Sequence, residues 1–276
     1  MRCNGVLKFR VLLARALALG AEALATGHYA RRVLGPGGPE LHRAEDAARD
    51  QSYFLFATTR DQLDFVRFPL GGLDKSATRG HAERLGLPVA DKPDSQDICF
   101  VPTGRYADLV RKLRPEAAAA GEIVATDGRV LGRHEGVAGY TVGQRRGLGV
   151  AAGERLYVVG LDAGARRVVV GPRAAGGCSA AWVADANWLD DEAAEAPVLV
   201  QHRYNEPPVP ARLERQGGGR ARVVFAEPQH GVAPGQACVA YRGSRVLGGG
   251  WIERAPLDSA GVGPLPNPPR GGVAQR

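Results

Sequence analysis

Near residue 120 the apolar residues of this chain stop recurring at helical spacing and begin to alternate. Apolar positions three to four apart line one face of a helix, whereas a period of two places neighbours on opposite faces of a strand. A switch of this kind therefore divides a chain into folds of different class. Before it, Val6, Phe9, Leu12, Leu13, Leu17 and Leu19 predict a first helix, stopped by Gly20. The stretch "EALATGHYA" reads as a short buried strand running into a glycine turn. Further helices are expected over "RDQSYFLFA", "RDQLDFV", "SATRGHAERLG" and "RYADLVRKL", the third ending at Gly86-Leu87-Pro88. The first half is expected to be α/β.

After the switch, "GEIVATDGRVLG" carries Asp127-Gly128 between two short apolar runs, a strong hairpin signal, and "RLYVVGLDAGARRVVVGP" repeats the pattern. The segments "APVLVQHRY", "VPARLERQGGGRARVVFAE" and "QACVAYRGSRVLGGGWIE" continue as short strands joined by Gly and Pro, which predicts a small antiparallel barrel. From Pro256 onward there is little to bury and many breakers, so a disordered tail is expected.

Composition sets the outer limits. A chain of 276 residues with 44% hydrophobic content is long enough for two or three cores. The apolar run "VLLARALALGAEALA" is interrupted by Arg15 and Glu22 and falls short of the ~20 apolar residues a membrane helix needs, so no span is expected. The first residues show no signal-peptide pattern, which predicts a cytoplasmic location. Four cysteines, none in a C-x-x-C pair, are too few for a disulfide framework and give no zinc spacing. Cys178 and Cys238 read as small fillers of β structure. A formal net charge of +7 favours polyanionic partners, although a base-biased genome would give the same arginine content.

Four stretches could carry chemistry. In "LATGHYARR" a strand end passes through Gly27 and presents His28 and Tyr29 at a carboxyl edge, where α/β sheets bind ligands. An ordinary strand-to-loop turn reads the same way. In "RAEDAARDQSYFLF", Arg49, Asp50 and Gln51 precede an aromatic run; they either crown a helix start or contact a phosphate backbone while Tyr53, Phe54 and Phe56 enter the core. In "DKPDSQDICFVP", Ile98, Phe100 and Val101 suggest a strand with Cys99 pointing the other way. Asp94 and Asp97 disfavour a thiolate there, and Lys92 or an arginine-lined site would have to offset them. In "GYTVGQRRGLGV", four glycines surround Gln144, Arg145 and Arg146, a cationic loop that is either a connector or an RNA contact.

Taken in this order, these stretches resemble the tRNA-specific 2-thiouridylase family. The resemblance runs from "CNGVLKF" through "ATGHYARR", "RDQSYFLF", "FPLGGLDKSATRGHAERLGLPVADKPDSQDICFV", "YTVGQRRGLGV" and "YVVGLD" to "APGQACVAYRGSRVLGGGWI". It implies an incomplete ATP-pyrophosphatase-type, Rossmann-like α/β domain over residues 1–116, a small central β domain over 117–175, and a C-terminal antiparallel β-barrel over 176–255 that holds tRNA. Residues 256–276 remain as the tail.

The implied reaction consumes ATP, with magnesium, to activate C2 of the wobble uridine, and a cysteine persulfide then delivers sulfur there. By the match of motifs Cys99 carries the persulfide and Cys3 forms a disulfide with it as the sulfur departs. Gly27 matches a nucleotide-contacting glycine. His28, Arg49, Asp50, Gln51, Arg203, Tyr204 and Gln236 match positions that touch tRNA. A sulfur-relay protein is the implied donor, the full-length protein is expected to be a monomer, and the target base is expected to flip into a pocket between domains.

The family begins about a hundred residues earlier with a Ser-Gly-Gly-x-Asp-Ser-Ser loop whose amides cradle pyrophosphate, a stretch this sequence lacks. The segment that contacts the target base just before the first cysteine is lacking too. The expectation is a truncated product, a misplaced start or one half of a split protein, with an exposed sheet edge and apolar surface. Two functions are weighed: a sulfurtransferase active once the loop is supplied, and an inactive tRNA-binding remnant. A protein-only thiol redox enzyme is less supported, because no thioredoxin-type C-x-x-C is present.

Overall fold

The computed structural model describes residues 9, 11–88, 119–150, 153–190 and 197–254. Two compact units divide them, the first formed from Met1–Asp94, Trp182–Ala226 and Gly235–Glu253, the second from Ser95–Ala181, Glu227–Pro234 and Arg254–Arg276.

In the first unit, helix α1 (Leu13–Ala18) ends at Leu19, and Gly20 follows at a φ of 74°. Strand β1 (Leu24–Ala25) pairs in parallel with β4 (Val66–Arg67), and the hairpin β2 (Ala30–Gly35) and β3 (Gly38–Arg43) lies between them in sequence. Helix α2 (Arg60–Phe65) starts with a capping box in which Thr59 and Gln62 each satisfy the other's backbone N–H. Helix α3 (Lys75–Arg84) is capped by Asp74, which accepts from Ala77 N at 2.7 Å. It stops as expected: Gly86 at a φ of 63° lets Leu87 N donate back to Ala82 O.

In the second unit, β5 (Gly121–Ala125) and β6 (Val130–His134) form the hairpin over Asp127-Gly128, and β7 (Tyr157–Asp162) and β8 (Arg167–Gly171) form the next. The sheet order is β6-β5-β8-β7. One face packs on Ile123, Leu148, Leu156, Val158, Val168 and Val170, the other on Val124, Val159 and Val169. Both hairpins are antiparallel as expected, and the two are joined by β5 and β8, which run parallel. The intervening hairpin arm β6 and the strand β7 both lie at the edges, which leaves the two central strands free to run in the same direction.

The remaining strands are β9 (Gly177–Trp188), β10 (Val198–Gln201), β11 (Val209–Arg215), β12 (Ala221–His230), β13 (Ala237–Arg242) and β14 (Arg245–Arg254). They follow the order β13-β10-β11-β12-β9-β14, and β13 also pairs with β14, so six strands close into a barrel. Closure removes the free edges of an open sheet. Hairpin β2–β3 is then added along β14, where Arg245 pairs with His42. The core of this unit accordingly mixes early and late residues, among them Leu41, Tyr53, Phe56, Leu63, Val239, Tyr241 and Val246. Each such side chain, once fully buried, contributes about 1.5–3 kcal/mol relative to exposure.

Two expectations are corrected. "RDQSYFLFA" forms only a single 3-10 turn at Ser52–Leu55, because Asp50 and Ser52 bond locally and compete with helix formation. Strand β1, expected to be buried, is half-buried at Leu24 and exposed at Ala25. The first helix shows Val11, Leu12, Leu17 and Leu19 at 52–71% exposure, so most of its apolar face is uncovered among the described residues. The helix expected over "RYADLVRKL" and the tail from Pro256 lie outside the described residues. Among those described, no helix is long and apolar enough to cross a membrane.

Candidate functional site

Cys3 and Cys99 both lie outside the described residues. The other candidate positions all fall in the first unit, and most gather around two turns.

The first turn follows β3. Asp50 is nearly enclosed, with a side chain 10% exposed, and its carboxylate accepts from Ala44 N at 3.0 Å, Ser52 N at 3.1 Å and the Ser52 hydroxyl at 2.9 Å. Gln51 turns back toward the strand end, its Oε1 accepting from Tyr29 N at 3.0 Å. Asp50 and Gln51 thus shape the turn with their side chains and leave Arg49 at its surface. The second turn follows β10. Gln201 is buried, and its Nε2 donates to the carbonyls of Arg203 at 3.1 Å and Tyr204 at 2.9 Å, fixing the bend from inside. Arg203 pairs with Glu206 at 3.1 Å.

Arg43, at the end of β3, joins the two turns. Its Nη2 donates to Gln201 Oε1 at 3.3 Å, its Nε stands 3.9 Å from Asp50 Oδ2, and its guanidinium carbon lies 3.9 Å above the Tyr241 ring. Between the turns lies a pocket of about 370 Å³, lined by Arg43, Asp50, Gln201, Tyr204, Asn205 and Glu206. Its wall is aromatic on one side: Tyr204 packs 4.3 Å from Phe54 and 5.9 Å from Tyr53, yet is itself 41% exposed. Burial raises the Tyr204 phenol and the Asp50 charge adds to it, while Arg49 opposes both. A half-open tyrosine face beside arginines suits a nucleobase or a sugar–phosphate chain, since stacking and charge can act together.

Gln236 sits one residue before Ala237, whose carbonyl accepts from the Tyr53 hydroxyl at 2.9 Å, so it borders the same aromatic group. Its Oε1 is enclosed with no hydrogen-bond partner among the described residues. Burial holds the Tyr53 phenol far above its ordinary range and pushes Tyr241 up to about 12, so both stay neutral donors at ordinary pH. Cys238, behind them, is raised to about 12 by burial and is an inert filler, and Cys178 is likewise buried.

His28 lies apart from the pocket but is tied to it through Tyr29 and Gln51. Its ring is held between Phe9 at 5.9 Å and Phe68 at 6.4 Å and contacts the Thr26 hydroxyl through Nδ1. Gly27 beside it is exposed, and a Cβ there would meet only Leu70 Cδ1 at 3.8 Å. Packing therefore does not demand glycine at 27. Arg43 and Gln201 went unnoticed in the sequence, where each is a single polar residue at a strand end, 158 positions from its partner.

Three family models match the chain in order: a tRNA methyl transferase HUP domain over residues 1–103, a tRNA methyl transferase PRC-barrel domain over 108–172, and an aminomethyltransferase beta-barrel domain over 179–252. Proteins named tRNA-specific 2-thiouridylase MnmA are similar along nearly the whole chain. That of Rhodospirillum centenum is 59% identical over 283 residues, covering 99% of this chain and 72% of its own length. Those of Maricaulis maris and Hyphomonas neptunium are each 60% identical, over 95% and 92% of this chain, which spans 65% and 66% of their lengths. A HUP-type segment, a PRC-barrel middle and a six-stranded barrel in this order, at such identity, place the chain in the tRNA-specific 2-thiouridylase family.

Proposed function

We propose that this chain is the tRNA-holding and sulfur-carrying portion of a tRNA-uridine 2-sulfurtransferase. The observation that carries the reading is the meeting of Asp50 with Tyr204 at one pocket that bears Arg43, with Arg49 close enough for its charge to act on the Tyr204 phenol. Positions that match tRNA contacts from the HUP-type part and from the barrel share that pocket, pinned by Arg43. His28, Gln51, Arg203 and Gln236 belong to the same surface in this reading. The domains are taken as 1–116, 117–175 and 176–255, with 256–276 as a tail, and the protein as cytoplasmic.

The chemistry proposed is transfer of the outer persulfide sulfur from Cys99 to C2 of the wobble uridine. The outer sulfur bonds to C2 as the activated oxygen leaves, giving a Cys99–S–S–C2 link; the Cys3 thiolate then attacks Cys99 Sγ, the S–S bond breaks with its electrons going to the sulfur on C2, and a Cys3–Cys99 disulfide remains. A thiol reductant reopens that disulfide before the relay protein's persulfide reloads Cys99. ATP is the co-substrate that makes the uridine oxygen a leaving group, and Gly27 is the one position assigned to it. The sequence carries no Ser-Gly-Gly-x-Asp-Ser-Ser cradle, so no ATP step is assigned to these residues. The second reading is an inactive tRNA-binding remnant or half of a split enzyme.

One experiment separates them. The purified chain is incubated with unmodified tRNA, ATP, magnesium and a persulfide donor, with and without a relative's phosphate-loop segment, and nucleosides are analysed for 2-thiouridine. Binding of tRNA without thiolation, followed by thiolation on complementation, is expected. Binding that never leads to product supports the remnant, product from the chain by itself refutes the assignment of ATP chemistry elsewhere, and failure to bind tRNA overturns both readings.

A further inference from the structure

The cationic loop in "GYTVGQRRGLGV" is not part of the pocket described above; it belongs to the second unit. Its backbone is laced to β7 by Gly143 N donating to Val158 O at 2.7 Å and Val158 N donating to Gln144 O at 2.9 Å. The Gln144 side chain braces the bend from within: Oε1 accepts from Thr141 N at 3.0 Å, and Nε2 donates to Arg146 O at 2.9 Å. Gly147 and Gly149 both take a φ of 71°, and Leu148 between them is 6% exposed, buried with Ile123, Val158 and Val168. The loop is anchored at its base and its middle, and what it offers to solvent is Arg145 and Arg146, both exposed.

Glu122 pairs with Arg167 and Asp127 with Arg129, and among the described residues no ion pair reaches Arg145, Arg146 or Arg155. Arg145 and Arg155 line a depression of about 610 Å³ together with Gly147, Gly149 and a single acidic residue, Glu154. No aromatic face is present there to stack a base, and the apolar residues of the lining are aliphatic. Exposed guanidinium groups on a braced, glycine-lined surface fit phosphates, which position a nucleic acid without reading its sequence.

We propose that this loop is a second docking point for tRNA, gripping its sugar–phosphate backbone through Arg145, Arg146 and Arg155. The proposal rests on the tRNA-binding function above. It is tested with the full chain, a transcribed tRNA and a salt series, comparing wild type, the double variant Arg145→Ala/Arg146→Ala, the single variant Arg155→Ala, and Arg129→Ala. Two lost phosphate contacts should weaken binding by about tenfold at moderate salt and make the log–log salt slope shallower by about two. Arg155→Ala should change the slope by about one. Arg129, already paired with Asp127 at 2.7 Å, should leave both quantities unchanged when replaced. Wild-type binding with no loss of affinity or slope in the arginine variants overturns the proposal, as does an equal loss in Arg129→Ala. A wild-type chain that does not bind tRNA overturns the functional reading itself, and this inference with it.

Discussion

Arg43 is held by a hydrogen bond, a carboxylate and a ring face, and no two of these come from the same segment of chain. Its replacement by methionine keeps the stem's packing on Tyr241 and removes both polar links, so the two turns should lose their common register. Arg43→Met is expected to weaken tRNA binding by roughly fivefold, about 1 kcal/mol, with Arg43→Lys recovering part of it. A titration of fluorescent tRNA measures this. At Tyr204 the ring face matters more than the hydroxyl: Tyr204→Ala should cost about tenfold or more in tRNA affinity, the scale of one lost base stack, and Tyr204→Phe should cost less than about twofold. Equal losses in both variants would show that stacking is not its role. Burial also sets an alkaline limit on the fold. Cys238 and Tyr241 are each raised to about 12 from ordinary values of 9.0 and 10.0, so their neutral forms are favoured when folded. Their contribution is whole below the unfolded values and is lost as pH rises toward about 12, because the unfolded chain releases those protons first. Urea unfolding should show stability falling steadily above about pH 9, and Cys238→Ala should flatten the early part of the fall.

Among the elements, what the sequence disclosed depends on how local the cause is. The Asp127-Gly128 hairpin was legible because two adjacent residues determine it, and β11 and β12 were legible because Leu213 stands between Arg212 and Glu214 and because the run Val223-Val224-Phe225 is rich in β-forming residues. Strand β9 escaped notice: "GCSAAWVADANW" is rich in alanine, and it is a strand through the neighbours it finds in the barrel, not through its own preference. Hairpin β2–β3 also looked like loop, since Val33 and Leu34 are exposed and little in "RRVLGPGGPELHR" is buried but Leu41. Of the candidate site, Arg49 and Tyr204 came through family resemblance, whereas Arg43 and Gln201 act only across distant parts of the chain and leave no local mark. Asn187 is of that kind too: from β9, its Nδ2 donates to the carbonyls of Phe56 and Thr58, both at 2.8 Å. Asn187→Ala strands two carbonyls beneath a closed sheet and should cost roughly 2 kcal/mol in urea unfolding, with Asn187→Asp no better because a carboxylate cannot donate. A loss under about 0.5 kcal/mol would mean that water replaces both bonds.

For the molecule as a whole, the two polyanions it should meet are unequally served. Arginines stand exposed in both units, Tyr204 and Gln236 have unused faces or acceptors, and the loop bearing Arg145 and Arg146 is braced before any ligand arrives. For ATP, Gly27 is the one position proposed as a contact, and these 276 residues contain no Ser-Gly-Gly-x-Asp-Ser-Ser motif. A ligand stabilises the folded state in proportion to its occupancy, so the two can be compared in one thermal scan. Transfer RNA at about a hundred times its dissociation constant should add about 2.7 kcal/mol and raise the melting temperature by roughly 5 °C. Magnesium-ATP at millimolar concentration should leave it unchanged, and ATP added to the tRNA complex should add nothing further. A rise with ATP alone would mean that phosphates are held by residues other than a Ser-Gly-Gly loop, and the division of labour proposed for this chain would have to be redrawn around them. No rise with tRNA would remove the reason for reading Arg43 and Tyr204 in the first unit, and separately the loop of the second, as tRNA contacts.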